Sequence, residues 1–223
     1  MTDMSMALIA VLIQLITAAA AYQYLTHRGD GNVQARDYFY PRFEYVPLMV
    51  MLGALIAAVF IFVRSFLRDD EGFMRALMHA EVMIWLCVLG YIDLRERIIP
   101  NSLIVAGLLL WLVLVLIDIL IGGTPWDKLL VFSALGGIVC GGLLFVIALV
   151  VKSALGMGDV KMFFVLGLLY GLTDVYGILV FTVIAMGIVS IGLLITKKVN
   201  TKTMIPMAPF AVLGFFLSIL AGM

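Results

Sequence analysis

The sequence predicts an all-α, polytopic membrane protein with about eight transmembrane helices and no soluble domain. Hydrophobic residues make up 65% of the chain and charged residues only 13%, whereas soluble domains hold about 45–50% apolar and about 25% charged residues. The mean hydropathy is +1.20. The apolar residues also fall into runs of about 20, which is the length that an α-helix needs to cross the hydrocarbon core of a bilayer.

Eight apolar runs, separated by short polar segments, account for most of the chain. The first has Asp3 as its only charge and no basic residue before it, so it is predicted to be a span rather than a signal peptide. The sixth run is short, and the segment 171–174 (Gly-Leu-Thr-Asp) marks its break from the seventh. The predicted spans cover residues 4–25, 46–67, 75–93, 101–121, 128–152, 159–173, 175–196 and 205–222.

The basic residues predict the orientation, because Lys and Arg concentrate in the cytoplasmic loops of membrane proteins. If the N-terminus lies outside, the loops after the first, third, fifth and seventh spans hold ten of the fourteen basic residues. These ten are Arg28, Arg36, Arg42, Arg95, Arg97, Lys152, Lys161, Lys197, Lys198 and Lys202. The outer side then holds Arg64, Arg68, Arg75 and Lys128. The C-terminus is therefore predicted to lie outside.

Two acidic residues stand at the edges of predicted spans, where a charge is costly and calls for a reason. Asp93 ends the third span and opens the segment DLRERIIPN, in which Pro100 and Asn101 begin the fourth span. Asp159 opens the sixth span and closes the Gly-Met-Gly-Asp segment 156–159. The orientation above places both carboxylates at the cytoplasmic face, so that residues distant in sequence converge at one depth.

Two converging carboxylates can hydrolyse a peptide bond without a metal or a cofactor, and we expect neither here. They cannot both ionise easily, so they share a proton. One activates water as a base, and the other protonates the amide nitrogen or the carbonyl oxygen. Gly156 and Gly158 suit such a site because bare backbone lets a peptide come close. Cys87 and Cys140 have no spacing typical of metal ligands.

Each acidic residue also has an ordinary explanation. Asp159 could cap the start of its helix, and Asp93 could be a solvated loop charge beside two arginines. Glu81, inside the third span, is expected to have a structural or substrate-pathway role without catalysis. Asp118, near the outer end of the fourth span, is expected only to snorkel toward the interface.

Taken together, the two segments resemble the catalytic motifs of the type IV prepilin peptidases, a family of GxGD-type aspartic membrane proteases that includes the preflagellin peptidases. The spacing from Asp93 to Pro100 is the family's, and the segment 156–159 followed by Lys161 is similar to its second motif. The run 205–210 (IPMAPF) also resembles a late segment of the family, so the likeness covers about residues 75–222. Presenilin-like proteases share GxGD but pair it with a Tyr-Asp motif, which the segment 91–93 (Tyr-Ile-Asp) is not.

Members of that family cut the short basic leader from prepilins or pseudopilins at the cytoplasmic face of the inner or plasma membrane. The resemblance implies that Asp93 and Asp159 are the catalytic pair. It implies supporting roles for Gly156, Gly158, Lys161, Pro100 and Asn101. It also implies a division of the chain into an N-terminal membrane region of two spans, 1–74, and a catalytic membrane domain of about six spans, 75–223. The implied partners are the substrate and the lipid bilayer, with no nucleic acid.

Many bacterial members also methylate the new N-terminus with S-adenosylmethionine, and they carry two CxxC pairs in a long first cytoplasmic loop. The corresponding loop here, 26–45, has no cysteine. It cannot hold zinc in that way, so we expect no methyltransferase activity.

Other classes of function stay open at this point. A metal-dependent lipid phosphotransferase would use Asp93 and Asp159 to hold Mg²⁺, although such sites gather further acidic groups. A transporter would line its path with Glu81 and Asp118, although the sequence shows no convincing internal repeat. An inactive assembly factor is a third alternative.

Overall fold

The computed structural model describes residues 2–29, 46–67, 72–122, 126–151, 155–196 and 205–222, and no strand occurs within these ranges. The described residues form α1 (Thr2–Gly29), α2 (Val46–Phe66), α3 (Phe73–Glu96), α4 (Asn101–Ile117), α5 (Trp126–Val150), α6 (Met157–Ile195) and α7 (Ala208–Ala221). A π-helical turn, Asp118–Gly122, continues α4.

Six of these helices are long and apolar enough to cross a bilayer, and α7 is a shorter apolar helix of 14 residues. The prediction of an all-α, polytopic membrane protein is therefore confirmed. Each predicted span coincides with a helix, or with part of α6, to within a few residues. α1 continues to Gly29, and the rest of the predicted loop 26–45 lies outside the described residues.

The chain separates into two compact units, Met1–Tyr91 and Ile92–Met223. Within the first unit, the rings of Phe62 and Phe66 are stacked, and both meet the ring of Phe73 edge-on. The Ser65 hydroxyl is hydrogen-bonded to His79 Nδ1 at 3.1 Å. These contacts connect the end of α2 to the start of α3. The division predicted at residue 74 concerns function and stays a prediction.

Within the second unit, α5 and α6 pack with their backbones in contact. A Cβ added to Gly136 would collide with the carbonyl oxygen of Gly167, and one added to Gly167 would collide with the carbonyl oxygen of Gly136. Farther along α5, Gly141 lies against the side chain of Phe164. Residues without side chains allow two apolar helices to approach this closely.

α6 is interrupted at Gly171, which has a φ of 68° and a ψ of −171°. Essentially only glycine adopts this combination. The ring of Phe132 from α5 packs directly on the Gly171 backbone, where a Cβ would overlap it. The predicted break between the sixth and seventh spans is therefore present at Gly171, and the residues before and after it are helical.

α7 runs antiparallel to the second half of α6, residues 172–195. Gly177 faces Ser218, whereas Thr182, farther along α6, faces Gly214, which is earlier in α7. With a rise of 1.5 Å per residue, the start of α7 is level with residues near 188 of α6.

The two halves of α6 therefore run in opposite directions. In a straight helix, residues near 188 would lie about 43 Å from Asp159. The Asp93 side chain nevertheless contacts Ala208 at the start of α7 and acts electrostatically on Asp159 at the start of α6. Asp93 can reach both Ala208 and Asp159 only if the chain turns back at Gly171. This turn brings the starts of α6 and α7 to the same end of the second unit.

Candidate active site

Asp93 lies in the last turn of α3, and its side chain is only 5% exposed. Its Oδ2 accepts a hydrogen bond from the backbone N–H of Ala208 at 3.0 Å. The positive charge of Arg97 also acts on this carboxylate. Arg97 follows α3 with a left-handed φ of 56°, so the helix ends one turn after Asp93. The Asp93 side chain is therefore a buried acidic group with identified partners rather than a solvated loop charge.

Asp159 is the third residue of α6. The N-cap is Gly156, whose N–H donates to Asp159 Oδ2 at 3.3 Å. A carboxylate that reaches back from this position to the cap residue is half of a capping box, and Gly156 has no side chain to form the other half. Asp159 thus supports the start of its helix without being the N-cap itself.

The structure brings the two acidic residues together. Asp93 is close enough to Asp159 for its charge to act on the second carboxylate. Gly158, the neighbour of Asp159, lies against Ile99 in the loop that follows Asp93, and an added Cβ would come within 2.8 Å of the Ile99 Cβ. Any side chain at residue 158 would therefore push the two motifs apart.

Lys161 and Asn101 link the same two motifs a second time. Lys161 Nζ donates a hydrogen bond to Asn101 Oδ1 at 2.9 Å, and both residues are exposed. Pro100 is buried at the N-cap of α4 with extended dihedral angles, φ −68° and ψ 136°. This makes Asn101 the first residue of α4 and aims it at the start of α6. All of the predicted supporting residues therefore lie in the segments where the two motifs meet.

The start of α7 completes this arrangement, and no role was predicted for it. Met207 is the N-cap of α7, and Pro209 lies in the first turn, which is a recognised signal of a helix start. That signal is visible in the sequence. The hydrogen bond from Ala208 to Asp93 joins residues 115 positions apart, and nothing in the local pattern indicates it.

Residues 80–191, half of the chain, match the family model described as the type IV leader peptidase family. The chain belongs to the type IV leader peptidase family. The matched range includes both Asp93 and Asp159, so the resemblance found in the sequence is confirmed. No curated protein and no solved structure matches this leader peptidase family member.

Two further acidic residues of this family member have different surroundings. Glu81, in the first unit, is 7% exposed and lies near Thr17 of α1. Asp118 begins the π-helical turn after α4. The length of α4 separates Asp118 from Asn101 by about 25 Å, so Asp118 is remote from the two carboxylates.

Among the described residues, no group of three or more His, Cys, Asp and Glu side chains is placed to hold a metal ion. Asp93 and Asp159 supply two carboxylates at their site. A Mg²⁺ ion there would take its remaining oxygen ligands from water or from a phosphate-bearing substrate.

Proposed function

We propose that this family member is an aspartic endopeptidase that removes the short basic leader from prepilins or related pilin-like proteins. Cleavage takes place at the cytoplasmic face of the inner or plasma membrane. The observation that carries the proposal is that the motifs of Asp93 and Asp159 meet, since Gly158 lies against Ile99 and Lys161 is hydrogen-bonded to Asn101. This places the two carboxylates close enough to act on each other. Asp93 and Asp159 come from different helices. The two motifs contain one other acidic residue, Glu96.

The reaction requires one charged and one protonated carboxyl group. The charged group takes a proton from a water molecule, whose oxygen attacks the carbonyl carbon of the scissile peptide bond. The protonated group gives its proton to the departing amide nitrogen, and the carbon–nitrogen bond breaks. The leader leaves with a new carboxylate, and the mature protein keeps a new amino terminus. Neither acidic residue forms a covalent bond to the substrate.

The proposed substrate class rests on the family match and on the direction in which the two motifs are predicted to face. The excess of basic residues in the predicted inner loops supports a site that faces the cytoplasm.

Asp93→Asn and Asp159→Asn test the catalytic pair without removing a hydrogen-bond acceptor. An asparagine Oδ1 can still accept from the N–H of Ala208 or Gly156, but it can neither take nor give the proton. We expect each variant to lose leader removal by about 10²- to 10⁴-fold or more. The double variant should be no worse than either single variant, because residues that act as a unit are not additive. The measurement is leader loss from a prepilin incubated with the purified protein in detergent, followed by mass spectrometry.

Asp118→Asn is the matched control, since it makes the same change in a remote acidic residue, and it should keep most of the activity. Leader removal at the wild-type rate by Asp159→Asn would reduce that residue to a helix-capping role and end the proposal. Leader removal should persist in a metal chelator, and its loss there would show that the peptidase depends on a metal ion. When S-adenosylmethionine is added to the same assay, the product should stay unmethylated, because the loop 26–45 contains no cysteine.

A further inference from the structure

The carboxylate of Asp93 receives the backbone N–H groups at the start of α7. Ala208 N–H donates to Oδ2 at 3.0 Å, and the neighbouring N–H of Met207 also acts electrostatically on this side chain. The first N–H groups of a helix have no partner within the helix and carry partial positive charge. These donors therefore stabilise the charged form of Asp93, relative to the same buried carboxylate without them.

The two carboxylates of the site are not equivalent. Asp93 has the two amides of α7 and the positive charge of Arg97. Asp159 has a longer hydrogen bond, 3.3 Å, from the N–H of Gly156 in its own loop, and it faces the negative charge of Asp93. The shared proton is therefore held more easily by Asp159 than by Asp93.

The position of the α7 start is set by packing on both halves of α6. The ring of Phe215, which is fully buried, lies 5.6 Å from the ring of Tyr170 in the first half. Gly214 lies against the backbone of Thr182 in the second half. Because the halves meet at the turn of Gly171, α7 is held along both of them. Its first amides are thereby fixed beside Asp93.

We infer that the start of α7 is a positioning element of the active site, in which the backbone amides of Met207 and Ala208 orient Asp93 and hold its charge. This inference rests on the proposed function and assigns a separate proton-transfer role to each of the two carboxyl groups. Asp93 is the base that takes the proton of water through Oδ1, because Oδ2 is engaged by Ala208. Asp159 is the acid that protonates the leaving amine. α7 lies beyond residues 80–191, which match the family model.

Ala208→Pro tests this inference because proline removes the N–H and is accepted at the first position of a helix. We expect a kcat for leader removal at neutral pH at least about 10-fold lower, since a hydrogen bond to a charged group is lost. KM should stay within about 2-fold of wild type, because the amide touches Asp93 and not the substrate. The acidic limb of the pH profile of kcat should move up by about 1–2 pH units, because a carboxylate without this donor loses its charge more readily. The groups that face Asp93 in this titration are Asp159 of α6, Arg97 and the two amides of α7.

Phe210→Pro is the control within the same helical turn, because the N–H that it removes donates to the carbonyl oxygen of Met207 and not to Asp93. Its acidic limb should stay at the wild-type pH. If Ala208→Pro does not fold, Met207→Pro removes the second amide and carries the same expectation, since the φ of −88° at Met207 is near that of proline.

A folded Ala208→Pro variant with a wild-type kcat and acidic limb would overturn the inference, as would an equal displacement of the limb in Phe210→Pro. Loss of folded protein in both Ala208→Pro and Met207→Pro, with Phe210→Pro folded, would assign the amides to fold maintenance and would also overturn it. If Asp93→Asn and Asp159→Asn are inactive while Ala208→Pro behaves as wild type, the proposed function stands and only the role of α7 fails.

Discussion

Both acidic residues of the candidate site are held by backbone N–H groups at helix starts, Asp93 by α7 and Asp159 by the N-cap of α6. The position of a side chain that is bonded to backbone N–H groups depends more on where the helices lie than on the neighbouring side chains. The one side-chain bond that directly connects the two motifs is that from Lys161 to Asn101, among the hydrogen bonds described above. This bond is therefore the most direct target for changing the relation of the motifs without touching either carboxylate.

Lys161→Met and Asn101→Ala should each lower the rate of leader removal by about 2- to 10-fold, the loss expected for one exposed hydrogen bond. The double variant should be no slower than the slower single variant, because both changes remove the same bond. Lys161→Arg, which keeps a donor, should lose less activity than Lys161→Met. The measurement is the rate of leader removal for all four proteins under one set of conditions. Additive losses in the double variant would show that the bond does not couple the motifs.

At the scale of elements, the turn at Gly171 decides the geometry of the second unit. It converts one apolar stretch of 39 residues into two antiparallel helices. The first of them packs on α5 through glycine contacts, and the second packs on α7. The turn therefore affects the site from a distance, because α7 reaches Asp93 only if α6 folds back.

Gly171→Ala should destabilise the protein by about 1–3 kcal/mol from the backbone conformation alone. The collision of the new Cβ with the Phe132 ring adds to this cost. Gly187→Ala is the matched control in the same helix, since a Cβ there meets nothing within 4 Å. That change should be neutral or stabilising by up to about 1 kcal/mol, because alanine favours a helix over glycine. Thermal unfolding in detergent compares the two variants, and equal melting temperatures would contradict the described turn.

At the scale of the whole molecule, the basic residues and the turn at Gly171 together predict which side of the membrane each part of the second unit faces.

Two of the predicted crossings are short. The first half of α6, 157–170, and α7 are each about 21 Å long, whereas the hydrocarbon core is about 30 Å thick. Short crossings are accommodated by local thinning of the bilayer. The two short helices start at the candidate site, so lipid thinning is expected there.

Single cysteines at Met157, Leu172 and Ile195 test this topology, because these side chains are 50%, 42% and 75% exposed. The background carries Cys87→Ala and Cys140→Ala. A membrane-impermeant maleimide should label residue 172 from the outside, and it should label residues 157 and 195 only from the cytoplasmic side. A straight α6 would place residues 157 and 195 on opposite sides. If residue 172 is labelled from the cytoplasmic side and residues 157 and 195 from the outside, the predicted orientation is wrong, but the turn at Gly171 is supported.

The sequence by itself determined the helical membrane fold and singled out the two acidic residues of the candidate site. A span is a local property, since about 20 apolar residues must satisfy their own backbone hydrogen bonds in a bilayer. Asp93 and Asp159 stand out for a related reason, because charge at a span edge is costly. The break near residue 171 was also visible, in the glycine and polar residues between two apolar runs.

Only the tertiary structure decided what surrounds those acidic residues. The bond from Ala208 to Asp93, the bond from Lys161 to Asn101 and the contact of Gly158 with Ile99 all join residues that are far apart in the chain. Such contacts depend on how helices pack, and almost uniformly apolar helices carry little periodic signal to show which face meets which neighbour. The position of Asp159 two residues after the start of α6, rather than at the N-cap, was likewise set by where the helix begins. The start of α7 meets Asp93 because α6 turns back at Gly171. Neither the composition nor the spacing of residues predicts the direction in which the helix continues after that turn.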